Sequence, residues 1–211
     1  HSDHRRQRQM CIRDSNLTLE RGRSLAIVGA TGGGKTTLVN LLARFYEPTS
    51  GVIALDGIDY RERSLNFLQS NVGVVLQTSH IFAGTVRENI RYGQLSATDD
   101  AIRAAAEAAG AAQMIEQLDQ GYDTKIEEGG ASLSSGQKQL IAFTRALLKD
   151  PQILIMDEAT SSVDTLTEKR IEQGLRALLK DRISVIIAHR LSTIRHADQI
   201  CVLDQGQIIE M

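Results

Sequence analysis

Gly29-Ala30-Thr31-Gly32-Gly33-Gly34-Lys35-Thr36 follows a short apolar run, Leu25 to Val28, and opens into an amphipathic stretch, Thr37 to Arg44. The octet fits G-x-x-x-x-G-K-[ST], and strand, loop and helix in that order are the context the pattern requires. Glycines let backbone N–H groups curl around phosphate oxygens, where a side chain would obstruct the approach. The helix that follows turns its positive dipole end toward the same anion. Lys35 adds a full charge near the outer phosphates, and the Thr36 hydroxyl is placed to ligate Mg²⁺. A glycine-rich turn with a chance lysine would need neither the strand nor the helix. Gly29 through Thr37 are therefore the expected phosphate contacts.

Outward from this loop, short apolar strands alternate with helical segments, which argues for a mainly parallel sheet with helices on its faces. Candidate strands are Leu25–Val28, Val72–Leu76, Ile153–Met156, Ser184–Ala188 and Ile200–Leu203. Their continuous apolar character suits strands covered on both sides. Val52–Leu55, Asp56-Gly57 and Ile58 read as a hairpin, expected to join Asn16–Leu19 in a small antiparallel lobe. From about residue 80 to 148 the pattern turns helical and interrupts the phosphate-binding core. Thr98-Asp99-Asp100 caps an alanine-rich segment ended by Gly110, and further helices are expected over Ala112–Leu118 and Ser135–Leu148. The expected fold class is thus α/β: a phosphate-loop NTPase core, a small antiparallel β lobe and an inserted α-helical subdomain.

Composition bounds the rest. The chain has 211 residues, 42% hydrophobic and 24% charged, as in ordinary globular proteins. A net charge of −2 argues against a general nucleic-acid footprint. Cys11 and Cys201 have no metal-type spacing, and Cys201 falls in an apolar strand pattern that suits burial. No apolar run approaches the ~18–20 residues of a membrane span. Residues 1–15 are polar, basic and without periodicity, and are expected to be non-native or disordered; residues 16–211 form the expected domain. Gln207–Glu210 reads as a strand that stops abruptly, so a piece of a longer chain is expected.

A second chemical cluster lies at Ile153-Leu154-Ile155-Met156-Asp157-Glu158, an apolar strand running into two carboxylates. Such a strand delivers its acids to the C-terminal sheet edge, where open α/β folds bind ligands. Asp157 would hold Mg²⁺, largely through water. Glu158, one residue on, is the better general base for an attacking water.

Leu133-Ser134-Ser135-Gly136-Gln137, about twenty residues before those acids, narrows the family. The order of phosphate loop, lone glutamine, L-S-x-G-Q, acidic strand end, S-x-x-D and histidine resembles the ATPase domain of ABC transporters over roughly residues 16 to 210. The resemblance implies ATP and Mg²⁺ as cofactors. It implies that Gln77 senses the metal and the attacking water, and that His189 contacts the γ-phosphate. Ser134, Ser135, Gly136 and Gln137 would close over the nucleotide held by a second subunit, identical or not. Ser135 stands where the family usually has glycine or glutamine. Ser161-Ser162-Val163-Asp164 resembles the loop that bridges the two subunits.

Two further stretches are similar to the exporter branch: Ile81 to Ile90, and Thr124-Lys125-Ile126-Glu127-Glu128-Gly129-Gly130. The resemblance implies a membrane domain seated on residues about 77–90 with Glu128 nearby, at the cytoplasmic face of a membrane, the inner one in a bacterium. The family stacks adenine on an aromatic about two dozen residues before the loop. Here that count lands near Arg5, and no Phe, Tyr or Trp precedes Phe45. Stacking contributes ~1–3 kcal/mol, so weakened ATP affinity and little base discrimination are expected. The activity implied is ATP hydrolysis coupled to export. A soluble relative acting in DNA repair or translation is the alternative, disfavoured by net acidity and by the lack of a coiled-coil insertion or second ATPase module. A partner domain that binds without hydrolysing is opposed by Glu158 and His189.

Overall fold

The computed structural model describes residues 8–12, 15–76, 80–157, 164–188, 194–195 and 197–211, of which residues 8–12, 15 and 16 by their backbone alone. The chain opens with strands β1 (Arg8–Ile12), β2 (Ser15–Leu19) and β3 (Ser24–Val28), then helix α1 (Lys35–Leu42). A hairpin of β4 (Ala54–Leu55) and β5 (Ile58–Asp59) leads to α2 (Leu65–Asn71) and β6 (Val72–Val75). There follow β7 (Gly84–Thr85), α3 (Val86–Arg91), α4 (Asp99–Ala108), α5 (Ala112–Glu116), β8 (Lys125–Ile126) and α6 (Ser135–Lys149). The last part holds β9 (Ile153–Asp157), α7 (Thr165–Leu179), β10 (Ile183–Ile187), β11 (Gln199–Asp204) and β12 (Gln207–Glu210). Two compact units result: His1–Val74 with Gln152–Glu158 and Asp181–Met211, and Val75–Pro151 with Ala159–Lys180.

The first unit is built on a six-stranded sheet in the order β12-β11-β3-β10-β9-β6. β10 runs parallel to both β3 and β9, and β11 parallel to β3, while β12 returns antiparallel to β11. The five apolar runs expected as strands are all strands, each shifted by a residue or so at its ends. Alternate residues Leu25, Ile27, Ile153, Ile155, Ile183, Val185 and Ile187 pack with Leu38 and Val39 of α1 into one core. Cys201 lies fully buried there as a free thiol, and burial pushes its pKa up. At the hairpin, Asp56 and Gly57 both take positive φ (54° and 76°), as the tight primed turn of an Asp-Gly pair demands.

The small lobe is antiparallel as expected, in two separate two-stranded ribbons. β4 and β5 pair only with each other, and β2 pairs antiparallel with β1, Arg8 opposite Leu19 and Ile12 opposite Ser15. A partner a few residues away closes a far shorter loop than the hairpin more than thirty residues on, and loop closure is cheaper in entropy. The basic stretch Arg8–Ile12, read from its composition as aperiodic, is thus a strand.

Asp198 fastens the entrance of β11 to that of β3. One carboxylate oxygen accepts from the Ser24 amide and hydroxyl, both at 2.8 Å, the other from Arg23 at 2.8 Å, and the Asp198 amide donates back to the Ser24 hydroxyl at 3.1 Å. Desolvation raises the Asp198 pKa, but the Ser24 amide, Arg23 and the Ser24 hydroxyl outweigh it and hold the carboxyl below its ordinary value. A carboxyl depressed in the folded state stabilises above the unfolded-state pKa, roughly 3.9, and loses that contribution as pH falls through the folded value. Urea midpoints measured from pH 7 to pH 3 should therefore fall at the acid end, and Asp198→Asn should flatten that fall. An unchanged acid limb in the variant would refute the clip.

The second unit is helical. Thr98 caps α4 by accepting from the Ala101 amide, Asp99 and Asp100 fill its first turn, and Gly110 (φ 70°) follows its end. α6 is buried nearly all round, through Gly136, Gln139, Leu140, Ile141, Ala142, Phe143, Thr144, Ala146 and Leu148. It ends at Asp150 in the left-handed region, just before Pro151. α7 packs in this unit through Gly174, where a Cβ would sit 2.6 Å from the Ala109 carbonyl and 3.0 Å from Phe143. The helical part thus extends beyond the expected 80–148 to include α7. Helices α2, α3 and α7 were absent from the sequence reading, although each carries a legible cap: Ser64, Thr85 with Glu88, and Asp164.

Candidate active site

β3 emerges from the middle of the sheet directly into the glycine loop. Gly29, Gly32 and Gly34 take φ of 151°, 83° and 102°, conformations L side chains rarely adopt. A Cβ on Gly29 would lie 2.0 Å from the Leu203 carbonyl oxygen, one on Gly33 3.0 Å from it, and one on Gly34 3.3 Å from Gly206 Cα. α1 begins at Lys35 with Gly34 as N-cap and no side chain bonded to its first amides. Those amides are left for an outside acceptor, the arrangement that makes a helix start an anion site. Lys35 Nζ donates to the Gly29 and Ala30 carbonyls at 2.7 and 2.8 Å, so its charge lies against the loop itself. Thr31, Thr36 and Thr37 are exposed.

The sheet brings the acidic strand end to the same edge. Ile27, two residues before the loop, is level with Ile187, and Ile187 is level with Asp157. Asp157 closes β9 and Glu158 follows it. Glu158, Gln77, Ser161, Ser162, Val163 and His189 lie outside the described residues. Asp164 is described: it caps α7, accepting from the Leu166 and Thr167 amides at 3.1 and 3.0 Å. Hydrogen bonds from Thr167, side chain and backbone, hold its carboxyl below the usual range.

Among the described residues no cluster of three or more His, Cys, Asp or Glu is placed to hold a metal. Mg²⁺ needs none, since it keeps most of its water and binds through one or two protein oxygens plus phosphates. The Thr36 hydroxyl at the helix start and Asp157 at the sheet edge are the hard oxygen donors that suit it.

In the helical unit, Ser134 caps α6 and accepts from the Gln137 amide at 3.2 Å, while the Gln137 side chain accepts from the Ser134 amide at 2.8 Å. This reciprocal box, unnoticed in the sequence, employs Gln137 within its own helix. Ser134 and Ser135 are exposed and Gly136 is buried, so this helix start lies at the surface with the Ser134 hydroxyl engaged as its cap.

The two exporter-like stretches, some forty residues apart, meet in this unit. β7 pairs antiparallel with β8, Gly84 opposite Ile126 and Thr85 opposite Lys125. The Gly129 amide donates to the Ile81 carbonyl at 2.9 Å, and Lys138 donates to the Gly129 carbonyl at 2.7 Å. Glu128 is exposed beside these contacts. Asn89 bonds Phe82 through both its amide and carbonyl, and Arg145 donates to the Asn89 and His80 carbonyls at 2.9 and 3.0 Å. Desolvation lowers the Arg145 pKa. Tyr92 stacks on Phe82 at 4.2 Å and is 56% exposed, with Leu95 77% exposed nearby in sequence. Arg145 and Tyr92 escaped the sequence reading because neither sits in a recognisable motif. No helix of the described residues is long and apolar enough to cross a membrane.

The family model described as ABC transporter matches residues 12–161. A fatty acid ABC transporter ATP-binding/permease protein of Mycobacterium bovis is 54% identical over 199 residues, 94% of this chain and 32% of that protein. An ATP-dependent lipid A-core flippase of Syntrophus aciditrophicus is 50% identical over 199 residues, 94% of this chain and 33% of that protein. The solved structure of a bacterial Atm1-family ABC exporter with ATP bound superposes with a TM-score of 0.85 at 44% identity, covering 92% of this chain and 34% of that one. The chain spans about a third of the length of the curated relatives it matches. Loop, acidic strand end, capped serine turn and matched family model agree: this chain belongs to the ABC transporter family, as its ATP-binding part.

Proposed function

We propose that this chain is the ATP-binding and ATP-hydrolysing motor domain of an ABC exporter. The observation that carries the reading is the loop Gly29–Thr36: uncapped helix amides, left-handed turns at Gly29, Gly32 and Gly34, and Lys35 come together at the sheet edge that Asp157 shares. Gly29 through Thr37 would cradle the phosphates, and Lys35 would neutralise the β and γ oxygens. Thr36 and Asp157, with Gln77, would hold Mg²⁺, which screens the charge on the phosphates. Glu158 orients and deprotonates the attacking water, and His189 contacts the γ-phosphate.

Two copies, identical or mixed, would pair head to tail around two ATP molecules. Each nucleotide would lie between the loop of one copy and Ser134, Ser135, Gly136 and Gln137 of the other. The exposed Ser134 and Ser135 at the start of α6 support that role, since small residues at a helix start take an anion without a lysine. A membrane domain would sit on residues about 77–90 with Glu128, at the cytoplasmic face of the membrane. The β7–β8 pairing that unites these stretches, and the exposed Tyr92 beside them, support that surface. Relatives named as transporters and flippases support export as the coupled work. The test is steady-state phosphate release by the purified chain. Release is expected with MgATP and to stop with EDTA; none under any condition would overturn the reading in favour of a binding-only domain.

A further inference from the structure

The turn between β11 and β12 carries no motif, yet it abuts the phosphate loop at three of its glycines. The Leu203 carbonyl oxygen occupies the space a Cβ would need on Gly29 and Gly33, and Gly206 Cα that of Gly34. The Gly206 amide donates to the Gly33 carbonyl at 2.9 Å. Gln205 (φ 47°) and Gly206 (φ 77°) both take left-handed backbone, a tight turn that aims this amide at the loop.

We propose that this turn is a positioning element for nucleotide binding, acting through the Gly206 amide on the Gly33 carbonyl. The inference rests on reading Gly29–Thr36 as the nucleotide cradle. Its logic is the planar trans peptide: no cis bond occurs among the described residues, so the Gly33 carbonyl and the Gly34 N–H point in opposite directions. Holding the carbonyl against the hairpin turns the Gly34 N–H away from it. Without the hold, a peptide flanked by glycines is free to flip, and the amide that should meet an anion is replaced by a carbonyl that repels it. Gly206 touches no phosphate itself; it sets the direction of a group that does. The glycines of the loop then answer two demands at once, the left-handed turns of the cradle and the close approach of a neighbouring hairpin.

Gly206→Asn keeps both the left-handed turn and the amide, whereas Gly206→Pro removes both, because proline holds φ near −65° and Gly206 has φ 77°. Asparagine tolerates positive φ and keeps its N–H, and nothing lies within 4 Å of a Cβ at this position. Proline removes the N–H. MgATP and MgADP affinities would be measured by fluorescence titration, with melting temperature recorded without nucleotide. Asparagine is expected to bind within about twofold of the wild type. Proline is expected to lose about tenfold or more for both nucleotides, since one well-made hydrogen bond is worth that much and the turn is broken with it. Equal binding by the folded proline variant, or an equal loss in both variants, overturns the proposal. Amide hydrogen exchange of the wild type separates the amide from the turn, whether or not the proline variant folds: the Gly206 N–H should exchange slowly and slow further with MgATP, whereas free exchange in both states overturns the proposal. Failure of the wild type itself to bind either nucleotide would instead sink the cradle reading.

Discussion

Glu158→Gln protein is expected to hydrolyse ATP about 10²–10⁴-fold more slowly than the wild type, the usual worth of a positioned general base. Glutamine matches the shape of glutamate and still accepts a hydrogen bond from water, but it takes no proton. Nucleotide affinity should hardly change, because the proposed grip on the phosphates belongs to the loop amides and Lys35 and not to Glu158. Binding without turnover should then leave ATP in place between two copies. Light scattering of the variant with MgATP should report a doubled mass, and the double variant with Lys35→Ala should not. The assignment rests on β9: its last residue, Asp157, is level in the sheet with Ile27 at the loop, and Glu158 comes next in the chain. Wild-type turnover in the variant would move the general base elsewhere.

Lys35→Ala should weaken MgATP binding by about 10²-fold. Hydrogen bonds to charged groups contribute about 1.5–3 kcal/mol each, and about 2.8 kcal/mol is a hundredfold. Lys35 Nζ is bonded to the Gly29 and Ala30 carbonyls. Those acceptors hold the ammonium at the mouth of the loop, so its charge is already where the β and γ oxygens would lie. Lys35→Arg should also bind weakly despite keeping the charge, since a planar fork cannot take the place of a compact ammonium. Fluorescence titration gives both affinities, and far-ultraviolet circular dichroism should remain that of the wild type. Near-native binding by Lys35→Ala would mean that the loop amides alone hold the anion.

Much of the fold was legible because its signals are local. Five apolar runs became strands, Asp56-Gly57 became a tight turn, and Thr98 and Gly110 bounded α4. What escaped depends on residues far apart. The β7–β8 pair joins Thr85 to Lys125, and two residues in a strand offer no periodicity to detect. Arg145 is half-buried without a motif, its donors met by the carbonyls of His80 and Asn89. The partner of β2 is illegible for the same reason: alternation of side chains says that a strand exists, not which edge it meets.

The sequence by itself determined the chemistry of this protein, since a phosphate cradle is made by consecutive residues whose backbone freedom and charge are written in order from Gly29 to Thr36. It also determined the succession of strands and helices, through caps and apolar runs a few residues long. Only the tertiary structure decided that Asp157 shares an edge with that cradle, because a parallel sheet sets register between strands more than a hundred residues apart. It alone decided, too, why Gly29 and Gly33 admit no side chain toward the hairpin: the Leu203 carbonyl, over 160 residues away in the chain, already fills the space.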